Sequence, residues 1–145
     1  MTDNITLTLA LGILFSMIWE NRTGFASGGL IAPGVMALIL YDPIRIAVGI
    51  ALSFAVWAIL TQAVKYFGWY GRNRIGSAML IALVLRAATG HFSPDPMWLG
   101  WVIPGLIACD MQRQGAVETL SSLFITAVTA AFASELIMTL YAEII

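Results

Sequence analysis

The stretch Gly29-Leu30-Ile31-Ala32-Pro33-Gly34-Val35-Met36-Ala37 returns later in the chain as Gly100-Trp101-Val102-Ile103-Pro104-Gly105-Leu106-Ile107-Ala108. Both copies read G-x-x-x-P-G-x-x-A. Proline lacks the amide that a helix interior needs and glycine weakens helix propagation, so a Pro-Gly pair inside an apolar run marks a helix break. Two such breaks in one short chain point to a duplicated unit with a discontinuity built into each copy.

The surrounding sequence is strongly apolar: of 145 residues, 60% are hydrophobic and 10% charged, with a mean hydropathy of +0.90. A soluble domain carries roughly 25% charged residues. The apolar runs Thr6 to Trp19, Ile44 to Val64, Ile75 to Ala88 and Val117 to Leu140 are too long and too numerous for one soluble core, so composition predicts an all-α integral membrane protein. A net charge of −1 gives no basic balance for nucleic acid. Cys109 is the only cysteine, which excludes an intrachain disulfide and a cysteine-built metal site. Met1-Thr2-Asp3-Asn4 lacks the basic n-region of a cleavable signal, so the first apolar run is expected to be a retained transmembrane helix.

Taken in order, a first span over Asn4 to Trp19 closes at Glu20-Asn21-Arg22-Thr23-Gly24. The next apolar stretch, Gly28 to Tyr41, would reach roughly 21 Å as pure helix, short of a hydrocarbon core of about 30 Å. Reading Gly28 to Ala32 as extended chain and Pro33 to Tyr41 as a half-helix restores roughly 30 Å. Tyr41-Asp42-Pro43 is then a turn, and Ile44 to Tyr66 a full span ending in Lys65, Tyr66, Trp69 and Tyr70. A basic loop Tyr70 to Arg74 leads to a helix over Gly76 to Ala88, and His91 to Pro96 is a loop. Trp98 to Ala108 is the second Pro-Gly segment, Cys109 to Gly115 a polar turn, and Ala116 to about Tyr141 the last span. The expected domain is a single membrane unit over 1–145, with repeat 1 at about 4–66 and repeat 2 at about 75–142. The echo of Thr23-Gly24-Phe25 in Thr89-Gly90-His91-Phe92 supports the duplication.

Counting basic residues sets the topology, since Lys and Arg prefer the cytoplasmic side. If both Pro-Gly segments cross, Arg22, Lys65, Arg72, Arg74 and Arg113 fall on one side, with Arg45 and Arg86 on the other. Re-entrant segments give a poorer split, so crossing is preferred. Three crossings per repeat make the second repeat inverted relative to the first, as in many transporter folds.

Half-helices opening at Pro33-Gly34 and Pro104-Gly105 would point free amides and partial positive charge toward the midplane, where they suit carboxylates. Arg86, inside Leu83-Val84-Leu85-Arg86-Ala87-Ala88, would neutralise a passing anion. The competing reading is that the glycines only let helices approach and that Arg86 snorkels. Glu135 is expected to be paired or interfacial. Thr119, Ser122, Thr126 and Thr129 share one face of the last helix, a packing pattern. His91 stands alone in a loop, and no nucleotide-binding loop, metal-ligand spacing or nucleophile with a base is visible, which disfavours catalysis by this chain.

Several motifs taken together are similar to one family. Arg22-Thr23-Gly24, Gly29-Leu30-x-x-Pro33-Gly34, Tyr70-Gly71-Arg72, Met79-Leu80, Pro104-Gly105-Leu106-Ile107-Ala108 and Gln112-Arg113-Gln114-Gly115 stand in order across Leu11 to Gly115. The chain resembles the PgsC/CapC subunit family of poly-γ-glutamate synthase, a capsule biosynthesis complex. Two positions depart from the family pattern: Asn21 stands where an acidic residue is usual, and Cys109-Asp110 where an asparagine often follows.

The resemblance implies a non-catalytic, multi-pass subunit of the bacterial cytoplasmic membrane. Its implied partners are a Mur-ligase-like ATP-dependent amide ligase, a membrane-anchored export or retention subunit, membrane lipid and further copies of itself. ATP and Mg²⁺ would belong to the ligase, with no cofactor in this chain. Under this reading Arg22, Lys65, Arg72, Arg74 and Arg113 face the ligase or the nascent polymer, while Pro33, Gly34, Pro104, Gly105 and Arg86 line a polyanion path. The alternatives are a purely structural membrane scaffold and an autonomous small-anion transporter.

Overall fold

A computed structural model describes residues 2–68, 70–88 and 99–145. The expectations for Trp69, for the Thr89 to Phe92 echo, for the His91 to Pro96 loop and for Trp98 lie outside these residues. The described residues form six α-helices: α1 Thr2–Thr23, α2 Ala32–Leu38, α3 Pro43–Phe67, α4 Arg72–Ala88, α5 Leu99–Gln114 and α6 Ala116–Ile144. Two of them, α3 and α6, are long and apolar enough to cross a membrane, with mean hydropathies of 2.0 and 1.8.

Local chemistry explains most boundaries. α1 stops where the Gly24 amide turns back to the Glu20 carbonyl at 2.8 Å. α3 opens on Pro43, whose missing amide costs nothing in a first turn, and closes at Gly68, whose amide bonds the Val64 carbonyl at 2.9 Å. Two boundaries differ from expectation. The basic loop is mostly the first turn of α4, which already begins at Arg72. The polar turn over Cys109 to Gly115 is helical through Gln114, and only Gly115, at φ +112°, breaks the chain before α6.

The two Pro-Gly segments also differ from expectation, and from each other. The chain over 24–31 is irregular rather than extended, because Gly28 and Gly29 take φ of +82° and +94°, a region that L-residues with a Cβ avoid. α2 then begins at Ala32, with Pro33 in its first turn, and runs for only 7 residues. The second segment is not broken at all: α5 is continuous from Leu99, and Pro104 sits inside it. The half-helix N-terminus expected at Pro104 is therefore absent. A proline there leaves the carbonyl of residue 100 without its helical donor but does not end the helix when the flanking turns are packed.

Packing divides the bundle into two interleaved groups. α1 lies against α2 and α6, and α4 lies against α5 and α3; α5 also packs on α3 and α6. α5 is thus the spine. Its Ile103, Ile107 and Met111 join Ala32 and Met36 of α2 and Leu123 of α6 in one apolar cluster. Its Ala108 and Cys109 join Val56 and Leu60 of α3 and Ala78 of α4 in a second.

The glycine of each Pro-Gly pair does the same job in its own half. A Cβ built at Gly34 would stand 3.0 Å from the Leu9 Cα of α1, and one built at Gly105 would stand 2.9 Å from the Ala78 carbonyl oxygen of α4. Each therefore lets its helix cross the preceding one backbone to backbone. Gly12 completes the first crossing, since its Cβ would fall 2.3 Å from the Gly34 Cα.

Candidate functional site: the basic end of the bundle

The ends of α1, α3 and α5, the starts of α4 and α6 and one irregular segment meet at one end of the molecule, and side chains of α5 tie several of them together. Gln114 bridges to the chain after α1. Its Oε1 accepts the Ala26 amide at 2.9 Å, and its Nε2 donates to the Ala26 carbonyl at 2.5 Å and to the Thr119 hydroxyl at 2.9 Å. One turn earlier, the Asp110 carboxylate pairs with Arg113 at 3.4 Å. The left-handed glycines lay the irregular segment against α5, Gly28 beside Ile107 and Gly29 beside Leu106. Beneath them the buried hydroxyls of Ser16 and Ser27 bond at 2.7 Å.

These contacts answer a strict accounting question. An irregular stretch that is buried, as Ala26, Ser27 and Gly28 are, must find partners for its backbone groups or lose about 1–3 kcal/mol for each one left unpaired. The Gln114 side chain supplies both for Ala26. Reading 109–115 as a turn concealed Gln114 as a helical residue.

Arg74 anchors the start of α4 to the same end of α5. It donates through Nη1 to the Gln112 Oε1 at 2.7 Å. Its Nε is buried with no partner among the described residues. Arg22 and Lys65 are exposed in the last turns of α1 and α3, and Arg72 is exposed as the first residue of α4. With Arg113 at the end of α5, these five basic residues share one end of the bundle, and Arg45 and Arg86 stand toward the other. This is the five-to-two division obtained by counting.

The opposite end is marked by Tyr41, whose hydroxyl donates to the Glu135 carboxylate of α6; that contact holds the phenol above its ordinary pKa. The first Pro-Gly segment, bound at Ala26 to one end and at Tyr41 to the other, runs the length of the bundle instead of turning back. Thr119, Ser122 and Thr126 are buried, so the face packs that far and opens at the exposed Thr129; Thr119, Thr126 and Thr129 bond carbonyls one turn back.

Pro33, Gly34, Pro104 and Gly105 are all buried. The space beside them is a groove of about 330 Å³ between α2, α3 and α5, apolar along its length, with Arg45 among its lining residues. Arg86 is half-buried in the last turn of α4. Among the described residues no three His, Cys, Asp or Glu side chains are grouped to hold a metal ion.

The chain matches the family described as Capsule biosynthesis CapC over residues 11–120. It is 29% identical over 128 residues to the capsule biosynthesis protein CapC of Bacillus anthracis, covering 83% of this chain and 86% of that one. It is 28% identical, with the same coverage, to the PGA biosynthesis protein CapC of Bacillus subtilis (strain 168). A shorter likeness, 34% over 113 residues, is to a protein of Thiobacillus denitrificans named "Probable potassium transport system protein Kup"; it covers 70% of this chain and 18% of that one. No solved structure gives a significant match. Over three-quarters of its length, Pro-Gly segments and basic end included, the chain belongs to the CapC family of capsule biosynthesis proteins.

Proposed function

We propose that this chain is a multi-pass subunit of the bacterial cytoplasmic membrane, working in the synthesis and export of a poly-γ-glutamate capsule. There it serves as the non-catalytic membrane seat for an ATP-dependent amide ligase. The observation that carries the reading is the basic end. Five helix termini converge there and present Arg22, Lys65 and Arg72 outward, on a platform stiffened by the Gln114 and Arg74 contacts. Such an end suits the cytoplasmic face, where basic residues concentrate. It also suits a docked enzyme handling glutamate, its polymer and ATP, all anions.

Membrane residence is supported by exposure. Only 17% of the apolar window in α3 and 28% of that in α6 are buried within the chain. Apolar faces of that size are stable in hydrocarbon and not in water. The two halves, each with a glycine-bearing helix laid on its predecessor, fit an inverted repeat. ATP and Mg²⁺ act in the ligase, and a membrane-anchored partner completes export.

The buried Pro-Gly segments favour a scaffold within the complex over a conduit in the single chain. An apolar groove beside Pro104 cannot solvate carboxylates. We therefore assign the polymer's path to the assembled complex, between copies of this chain or against its membrane-anchored partner.

The test uses Lys65→Gln with Arg72→Gln, two exposed positions that hold nothing in the fold, in cells carrying the whole complex. Recovery of the ligase with the membrane fraction should fall by roughly fivefold, and polymer yield with it. Unchanged recovery and unchanged yield would remove the docking role of this end.

A further inference from the structure

We infer that the chain is two copies of one three-helix unit that have exchanged their third helices, so that each half completes its packing on a helix of the other. This rests on the duplication read in the sequence and goes beyond it, since a repeat by itself leaves each half free to pack within itself.

The first observation is that one shift along the chain aligns the helices as well as the motif. The shift that carries Gly34 onto Gly105 carries Thr2, the start of α1, to Asn73, the second residue of α4. It carries Ala32, the start of α2, to Ile103 within α5, and Pro43, the start of α3, to Gln114, two residues before α6. Helices α4, α5 and α6 are therefore the counterparts of α1, α2 and α3, in order.

The second observation is that the first two helices of each half cross at the same place. The Leu9 Cα of α1 lies 3.0 Å from a Cβ built at Gly34, and the shift carries Leu9 to Leu80. Next to Leu80, the Met79 Cα of α4 lies 3.2 Å from a Cβ built at Gly105. The crossing is kept although α2 has 7 residues and α5 has 16. A contact that survives such a difference in the helix carrying it belongs to the unit and not to the local sequence.

The third observation is where the third helices lie. A self-contained half would lay α3 on α1 and α2, and α6 on α4 and α5. Instead α3 packs on α4 and α5, while α6 packs on α1 and α2 and also touches α5, to which Gly115 joins it. Under the helix correspondence, the contacts of α3 with α4 and α5 map onto those of α6 with α1 and α2. The side chains agree: Val56 and Leu60 of α3, both 0% exposed, cluster with Ala78 and Ala82 of α4 and Ala108 of α5. Leu123 and Ala127 of α6, equally buried, cluster with Ala32 and Met36 of α2 and with the α5 spine. The groups that open together are therefore α1, α2 and α6 on one side and α3, α4 and α5 on the other, and neither is a half of the sequence.

Amide hydrogen exchange of the full chain in mild detergent tests this, because a destabilised group of helices opens as a group. Leu60→Ala empties a fully buried position of α3. It should speed exchange in α4 and α5 at least about tenfold, while α1 changes less than about twofold. Leu123→Ala in α6 should do the converse, speeding α1 and α2 at least about tenfold and α4 less than about twofold. Val56→Ala, a smaller truncation on the same face of α3, should repeat the Leu60→Ala pattern at reduced size and takes its place if Leu60→Ala is not recovered. Acceleration of α1 and α2 by either α3 variant, with α4 and α5 unchanged, would overturn the exchange and leave the repeat standing. Equal acceleration of every helix by both Leu60→Ala and Leu123→Ala would overturn the two groups altogether. Ligase recovery with the same variants reports the basic end separately.

Discussion

The two copies of G-x-x-x-P-G-x-x-A carry the same residues at their marked positions and fold differently. The first gives an irregular stretch and a helix of 7 residues; the second gives an unbroken helix of 16 residues with its proline inside. Their flanks account for this. Gly28, directly before the first copy, takes a left-handed conformation, whereas Leu99 stands at the equivalent place before the second. After the first copy Pro43 enforces a new start within a few residues, while after the second Cys109-Asp110-Met111-Gln112-Arg113-Gln114 continues the helix. A Pro-Gly pair is therefore a permissive site. Whether it breaks the helix is decided by its neighbours and by what packs on it.

What the copies share is the crossing, and removing it should be the largest effect. Gly34→Leu and Gly105→Leu each push a side chain into the backbone of a neighbouring helix, so each should cost more than about 3 kcal/mol. Thermal unfolding in detergent should show both losing their folded baseline. If only Gly34→Leu did so, the equivalence of the two crossings would be broken.

What separates the copies is the stapled stretch before the first. Gln114→Leu strips partners from both backbone groups of Ala26 and should cost about 2–4 kcal/mol, with faster amide exchange confined to residues 24–31. Exchange spread evenly over α5 would argue that Gln114 holds the helix instead of the irregular chain. The smallest effect distinguishes the two left-handed glycines. Gly28→Ala adds a Cβ 2.7 Å from the Ile107 side chain, whereas at Gly29 the nearest atom is 3.6 Å away. About 2 kcal/mol is expected for Gly28→Ala against about 1 kcal/mol for Gly29→Ala, read as a difference in unfolding temperature. Equal losses would mean that backbone strain alone sets both.

Much of this was legible in the sequence. Long apolar runs fixed α1, α3, α4 and α6 to within a few residues, because helix length and hydropathy are local properties. Counting basic residues separated Arg22, Lys65, Arg72, Arg74 and Arg113 from Arg45 and Arg86, and the helix ends divide the same way. Close approach of the repeated glycines was the competing reading of the Pro-Gly segments, and it describes Gly34 and Gly105. The motifs from Arg22 to Gly115 pointed to the family that the chain matches over 11–120.

The candidate site was less legible, for a physical reason. Gln114 acts on Ala26, which lies 88 residues away in sequence. Only the docking of α5 brings them together. Pro104 likewise reads as a breaker in isolation and is carried within a helix whose Ile103, Ile107 and Met111 pack into an apolar cluster with α2 and α6. Local chemistry determined where helices form, how apolar they are and which ends are charged. Tertiary packing decided which Pro-Gly segment breaks, what satisfies the broken backbone and which half each third helix packs against. Those outcomes depend on partners brought close in space, and their spacing along the chain does not encode them.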